Sequence, residues 1–290
     1  MERKRISPNS IGIVGLGLIG GSLGLDLQAL GYEVHGLVHR RSTAEKAQER
    51  KLAQVISLDP TILADCELII LALPLDQLLQ PSEALINALP TSAVITDVGS
   101  VKEPVLKIWQ GLHQNFVASH PMAGTNDSGV EAGREGLFKQ RPWVATPDAK
   151  TNKDALRMVS QIAIDLGAEW IETEPKRHDQ AVALISHLPV LVSAALLKTL
   201  GNEENPAMIS LAKQLASSGF ADTTRIGGGN PNLGLAMARN NTAAIINALK
   251  SYQKNLNDFE KALLTKDWSQ VKFELEQTKQ LRPKFLKNDS

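Results

Sequence analysis

Two groups of residues in this chain have the types and spacing to do chemistry. One is Ser119-His120-Pro121-Met122-Ala123-Gly124-Thr125, where an imidazole stands at the end of an apolar run and is followed by a proline and a nearby glycine. An imidazole held in such a place can take up or release a proton near neutral pH, as a general acid or base does. A lone histidine is more often structural, so its meaning depends on the second group. There, Ile11-Gly12-Ile13-Val14 opens into Gly15-x-Gly17-x-x-Gly20, and a helix-like pattern follows. Gly15 permits a tight strand-to-helix turn, Gly17 lets backbone approach a pyrophosphate, and Gly20 lets the helix lie close to the strand. Leu18 and Ile19 add the unpaired N–H groups of the helix start. With a strand before it and a helix after it, the motif predicts a dinucleotide site, and His120 becomes an acid/base facing a nicotinamide.

These residues need a scaffold. Short apolar runs at Ile11–Gly15, Glu33–Val38, Leu68–Leu73, Ala93–Val98 and Phe116–Ser119 alternate with helical stretches, which predicts a parallel sheet with crossover helices. Sites in such sheets lie beyond the carboxyl ends of the strands, where Thr96–Lys102, the His120 loop, Leu73 and Pro74 all fall. Helices are expected at Gly20–Leu30, ended by Gly31, and at Thr43–Lys51, with Ser42 or Thr43 as N-cap. Trp143–Thr146 and Glu169–Ile171, around a helix near Lys153–Leu166, are expected to complete the sheet edge. From Pro175 to Thr199 the chain is rich in Ala, Leu and Val, apolar enough for the buried spine of a second domain, kinked rather than ended by Pro189. Ala207–Ser217, Gly234–Arg239 running into Ala243–Leu264, and Trp268–Leu281 read as helices too, with a break at Gly227–Pro231. The expected architecture is an α/β Rossmann-type domain over 1–172 and an all-α domain over 173–290. So apolar a helix is expected to bury part of itself against a second copy, giving a homodimer.

Composition narrows the partners. The 290 residues carry 31 basic and 31 acidic side chains, so charge gives no reason to propose nucleic acid or a membrane surface. The single cysteine, Cys66, sits in an apolar segment and fits a reducing compartment. Arg3, Lys4 and Arg5 are followed by the first strand rather than by a removable apolar segment, and no apolar run approaches the ~20 residues that span a bilayer. A cytoplasmic protein is expected.

The turn after the second strand bears on the cofactor. A site that prefers NAD usually places a carboxylate there for the ribose hydroxyls. This chain has Val38-His39-Arg40-Arg41-Ser42-Thr43, with two guanidiniums and two hydroxyls where a 2′-phosphate would sit. NADP is therefore favoured over NAD, a solvated charged turn being the alternative. Glu33 lies at the start of that strand, the wrong end to meet ribose.

Five segments together are more specific than any one of them: GLGLIGGSL from Gly15, TDVGSVK at 96–102, SHPMAGT at 119–125, HDQAVALISHLP at 178–189 and SSGFADTTRIGGGNP at 217–231. In these, and in their order along nearly the whole chain, the protein resembles the prephenate/arogenate dehydrogenase family of tyrosine biosynthesis. The resemblance implies oxidative decarboxylation of a cyclohexadienyl acid. His120 would take up the hydroxyl proton, Ser100, expected also at the cofactor, would hydrogen-bond this histidine and the substrate region, orienting both, and His187 and Arg225 would close over the substrate from the helical domain, Arg225 on a carboxylate. Gly124 and Thr125 complete the expected substrate surface. Ser100 is equally placed to cap a helix over Val101–Trp109.

His178 and Asp179 read as capping and dipole-compensating residues. A metal shared by His178 and His187 is not expected, because nine residues place them on different faces of a helix. Within the resemblance, Ala221 stands where the family often has Lys or Arg, and Asp222 is left as a local acid. That favours the ammonium of arogenate over the ketone of prephenate, as do the NADP-type turn and the short, single-function chain. Prephenate or dual specificity is the alternative. Hydroxyacid and phosphogluconate dehydrogenases share this build but use a central-helix lysine, here only Lys198 near the helix end. A nucleotide-sensing dimer without turnover is the non-enzymatic alternative.

Overall fold

The computed structural model describes residues 7–125 and 127–286, so Arg3, Lys4 and Arg5 lie outside the described residues. The chain divides into two compact units, Met1–Thr242 and Ala243–Ser290.

The first unit is built on six parallel strands in the order β3-β2-β1-β4-β5-β6: β1 Ser10–Val14, β2 Glu33–Leu37, β3 Val55–Ser57, β4 Leu68–Leu71, β5 Val94–Asp97 and β6 Phe116–Val117. Alternate residues of each strand serve different cores. Ile11, Ile13, Leu68 and Ile70 join Leu23 and Leu27 of α1 (Leu18–Ala29), Ala47 of α2 (Arg41–Glu49) and Val159 and Ile162 of a helix described below. Ile69, Leu71 and Ile95 face the other way, onto Leu75 and Leu78 of α3 (Leu75–Leu79), Leu85 of α4 (Glu83–Ala88), and Val105 and Trp109 of α5 (Glu103–Leu112). A sheet covered on both faces accounts for the near-continuous apolar run of β4.

The Phe116–Ser119 strand expected from sequence is interrupted at Ala118. Ser119–Pro121 forms β7, which leaves the large sheet and pairs antiparallel with β8 (Pro142–Ala145); β8 in turn pairs parallel with β9 (Glu169–Glu172). The two late strands therefore do not complete the edge of the large sheet. They form a second, three-stranded sheet with β7, crossed by α6 (Lys153–Asp165). Its effect is to hold His120 in strand register opposite Val144.

From Pro175 to Gly201 the chain is one helical rod: α7 (Pro175–Val182), a π-helical turn at Ala183–His187, and α8 (Leu188–Gly201). The helix continues through Pro189 as expected, the ladder interruption being taken up as the π turn. Three expectations about this rod change. It is long and apolar enough, by length and composition, to cross a bilayer, contrary to the reading that no run approaches that length. It is not a buried spine within one chain, for Leu184 and Ile185 are 56% and 62% exposed. It carries Lys176 in its first turn as well as Lys198.

Short helices α9 (Pro206–Leu215), α10 (Ser218–Thr224) and α11 (Pro231–Asn240) complete the first unit, the last preceded by the expected break at 227–230. α11 does not run on into the next helix. Asn241 leaves helical geometry and α12 (Thr242–Leu264) starts afresh. In the second unit α12 is followed by α13 (Trp268–Phe285), whose first turn is capped by Asp267, its carboxylate accepting from Gln270 N–H at 3.0 Å.

Candidate active site

The glycine turn has the geometry its residues predict. Gly15 has φ +94°, and a Cβ there would stand 2.5 Å from the Ala72 carbonyl oxygen. At Gly20 a Cβ would fall 1.8 Å from the Gly15 carbonyl, so the first turn of α1 can pass this close only without a side chain. Gly17, at the N-cap of α1, has nothing within 4 Å of its Cβ position and brings no capping side chain. The turn thus presents bare backbone, with the N–H groups of Leu18 and Ile19 at the helix start, to open space, which fits a pyrophosphate. Leu73, whose side chain would lie 3.5 Å from a Gly15 Cβ, and the exposed Pro74 flank it.

At the end of β2, His39, Arg40, Arg41 and Ser42 are exposed and Thr43 is half-buried. The sequence reading of the cap is corrected: α2 begins at Arg41, Arg40 is its N-cap, and Ser42 and Thr43 lie within its first turn. No side chain caps that helix start, so its N–H groups are left for an anion beside the exposed Arg40 and Arg41, the latter paired with Glu45 at 3.3 Å. Glu33 pairs in register with Ser10 at the opposite end of the sheet and binds His35 at 2.9 Å.

His120 is anchored from beneath by a buried polar cluster. Asp97, at the end of β5, accepts from Gly99 N–H at 2.8 Å and Ser119 N–H at 3.1 Å, and pairs with Lys102 Nζ. Lys102 also donates to the Ser119 carbonyl at 2.6 Å, and Trp143 Nε1 donates to Ser119 Oγ at 3.0 Å. Asp97 and Lys102 are fully buried, so desolvation pushes the carboxyl up and the ammonium down in pKa, and their mutual attraction opposes both shifts. The residues on either side of the peptide leading into His120 are thereby fixed.

The ring of His120 meets the rod. His120 Nδ1 and His178 Nε2 are 2.9 Å apart, and His178 Nδ1 lies 2.8 Å from Asp179 Oδ1. Asp179 also accepts from Lys102 N–H at 2.7 Å and Glu103 N–H at 2.9 Å, so it caps α5 from a distant element. These bonds revise two readings. Ser100 does not cap a helix at Val101, since α5 starts at Glu103 under the carboxylate of Asp179; His120 Nδ1 is taken by His178, which leaves Nε2 as the open ring nitrogen. Asp179 compensates the start of α5, not its own helix. His178, before the π turn, and His187, at its end, are both buried.

His187 Nδ1 is 3.1 Å from Asn241 Nδ2, whose amide also donates to the Asp179 carbonyl at 2.7 Å. The amide is therefore the donor to Nδ1, and neutral His187 carries its proton on Nε2. That N–H is buried without a partner among the described residues. Burial, above all, lowers the His187 pKa to about 4, against the pull of Asp179. His120 is likewise held well below the usual imidazole range by burial first, then by His178, Lys102 and His187. Both rings are neutral at pH 7: an N–H donor at His187 and a base at His120.

The remaining expected residues lie at the margin. Arg225 follows α10 and is exposed, as is Asp222; Ser193 of α8 pins this segment by donating to the Thr223 carbonyl and accepting from Gly227 N–H, both at 2.8 Å. Gly124 is exposed, and Thr125 turns to Asp127 within its own loop. Asn241 was not singled out from sequence; the Asn240-Asn241-Thr242 run, a helix-stop and restart signal, is what marks it. Among the described residues no group of three or more His, Cys, Asp or Glu is set to hold a metal ion.

A dinucleotide-type glycine turn, a neutral histidine at the carboxyl end of the same sheet and a helical segment closing onto it define a dehydrogenase of the two-domain nicotinamide class. The family model of the prephenate dehydrogenase nucleotide-binding domain matches residues 23–172, and that of the prephenate dehydrogenase dimerization domain matches residues 174–277. The chain belongs to the prephenate dehydrogenase family. It is 32% identical over 233 residues to prephenate dehydrogenase of Bacillus subtilis, covering 77% of this chain and 62% of that protein's length. The crystal structure of Synechocystis arogenate dehydrogenase matches with a TM-score of 0.80 and 40% identity, over 96% of this chain and 100% of that one. Prephenate dehydrogenase from A. aeolicus, in complex with hydroxyphenyl propionate and NAD+, matches with a TM-score of 0.89 and 27% identity, over 98% and 100% of the two chains.

Proposed function

We propose that the protein is an NADP-dependent arogenate dehydrogenase, converting arogenate to tyrosine by oxidative decarboxylation. The observation that carries the reading is the pair of neutral imidazoles: half-buried His120, unbonded at Nε2 and open to act as base, and buried His187, whose Nε2–H awaits an acceptor. When bound, NADP would take up the hydride from the ring carbon bearing the hydroxyl. His120 Nε2 receives the hydroxyl proton as that hydride leaves. The carboxylate on the opposite ring carbon departs as carbon dioxide, its bonding pair completing the aromatic ring, and the proton returns to the oxygen as the phenol forms. Arg225 grips a substrate carboxylate, Gly124 and Thr125 border the ring, and Ser100 borders the nicotinamide.

Support for arogenate over prephenate comes from residue identity: the Synechocystis arogenate dehydrogenase shares 40% of its residues, more than the two prephenate-named proteins above. Ala221 and the exposed Asp222 leave no added cation beside an ammonium. Support for NADP comes from Arg40 and Arg41 at an uncapped helix start, with no carboxylate among residues 37–43; Glu45, one turn along α2, pairs with Arg41 at 3.3 Å. The Aquifex structure holds NAD+, so NAD is the weaker alternative. The same proposal divides the chain into a cofactor part over 1–172 and a helical part over 173–290 that closes the substrate site and forms a homodimer. It sets the protein in the cytoplasm, where its free Cys66 stays reduced.

Initial rates of nicotinamide reduction, crossing NADP and NAD with arogenate and prephenate, test the whole reading. Turnover confined to NADP and arogenate is expected. Dominant prephenate turnover would discard the argument from Ala221 and Asp222, and a cofactor preference unchanged by neutralising Arg40 and Arg41 together would discard the phosphate clamp.

A further inference from the structure

We propose that His178 and Asp179 are positioning residues for His120, fixing its neutral form with the proton on Nδ1 and the lone pair on Nε2. The proposal deepens the reading of His120 as base and rests on it for its catalytic meaning, but the tautomer is a property of the protein alone.

The argument starts at Asp179. Its two carboxylate oxygens already face the backbone N–H groups of Lys102 and Glu103 at 2.7 and 2.9 Å, so the group is held by the start of α5 and cannot turn away. The same Oδ1 faces His178 Nδ1 at 2.8 Å. A carboxylate offers no proton, hence Nδ1 of His178 is the donor, and in the neutral ring its Nε2 carries a lone pair. That lone pair lies 2.9 Å from His120 Nδ1, which must then be the donor of the second bond. His120 is left with a bare Nε2. The opposite tautomer of His120 would set two lone pairs against each other at this distance unless His178 carried a second proton, so finding His120 as Nδ1–H also identifies His178 as neutral.

The two rings meet nearly edge to face, at 70° with centroids 5.2 Å apart, so the bond lies between ring edges and not in a stack. When His120 takes the substrate's hydroxyl proton on Nε2, its Nδ1–H bond to His178 strengthens, and the negative charge of Asp179 lies at the end of the relay. No proton has to leave Nδ1. The groups that act on His120 are His178 from α7, His187 from the π turn and Lys102 from the loop before α5, with Asp97 at the end of β5 balancing Lys102. Asp179 is the negative group of the relay that reaches His120 through His178.

Two-bond 15N–1H correlation spectra of 15N-histidine-labelled protein at pH 7.5 separate Nδ1–H from Nε2–H rings, and the chain has six histidines to assign. His120 and His178 are both expected as Nδ1–H; His120 found as Nε2–H overturns the proposal. In the kinetics, His178→Leu is expected to lower kcat about 100-fold or more, as a mis-set tautomer does in catalytic triads, with the KM for both substrates within about threefold. His178→Gln, whose amide oxygen accepts the same proton, is expected to recover at least tenfold of that loss. Equal rates for the Leu and Gln variants, or an unaffected Leu variant, overturn it. Should the Leu variant fail to fold, the wild-type spectrum and the Gln variant still decide. A wild-type protein that turns over no cyclohexadienyl acid would remove the functional reading while leaving the tautomer result intact.

Discussion

His120 is placed by backbone as much as by side chain. Its strand register against Val144 and the Asp97–Lys102 pair beneath Ser119 fix the main chain, and His178 fixes the ring. Replacing it by Asn keeps a polar group of smaller reach, so turnover is expected to fall by about two to four orders of magnitude while NADP affinity, read by reduced-cofactor fluorescence, stays within about threefold. Turnover within tenfold of wild type would remove the base role. Arg225→Ala acts on binding instead: losing a charge-assisted contact costs about 1.5–3 kcal/mol, seen as a rise of roughly 10- to 150-fold in the arogenate KM with kcat little changed. Equal losses in kcat and kcat/KM would make Arg225 a transition-state contact. The sequence made His120, His187 and Arg225 visible because each sits in a motif. The bond between His120 and His178 was not visible, since it joins residues 58 apart and depends on how a small sheet meets a helix. Asn241 was hidden for the same reason.

At the level of elements, the glycine turn separates folding from binding. Gly20→Ala puts a methyl 1.8 Å from the Gly15 carbonyl, backbone that cannot yield, so the variant is expected to lose several degrees in Tm along with cofactor binding. Gly17→Ala meets no protein atom within 4 Å, so Tm should hold while NADP affinity falls, because the methyl occupies the space left for the pyrophosphate. A Gly17→Ala protein with full NADP affinity would place the phosphates elsewhere. The parallel strands, α1 and the long apolar helix were legible because each is an apolar run with the right period and a clear stop. β3 was not legible: Val55–Ser57 is three residues long and partly exposed, too short to show a period. The second sheet was misassigned because β8 and β9 look like any buried edge pair, and only the turn of the chain at Ala118 sends β7 to them. The π turn at Ala183–His187 carries no periodicity signal of its own.

For the molecule as a whole, protonation and association are the two variables. His187, with its pKa lowered from 6.5 to about 4, is neutral in the folded chain where the unfolded chain would already be protonated. The unfolded state therefore binds more protons between those values, and stability falls as pH drops from about 6.5 to 4, by about 3 kcal/mol in all from this residue. His120 adds in the same direction. Urea midpoints at fixed protein concentration should fall over that interval, and less steeply in His187→Asn; equal slopes would show that the ring is not neutral when folded. Concentration must be fixed because association contributes too. Leu184 and Ile185 stand more than half exposed on the rod, in a region whose family model is a dimerization domain. Apolar groups so placed are stable in water when a second copy covers them. Sedimentation at micromolar concentration is accordingly expected to give twice the 31.4 kDa chain mass, and Leu184→Lys with Ile185→Lys to shift it toward one chain with the glycine turn still binding NADP. A wild-type monomer under those conditions would mean that the rod is covered by something other than its own copy.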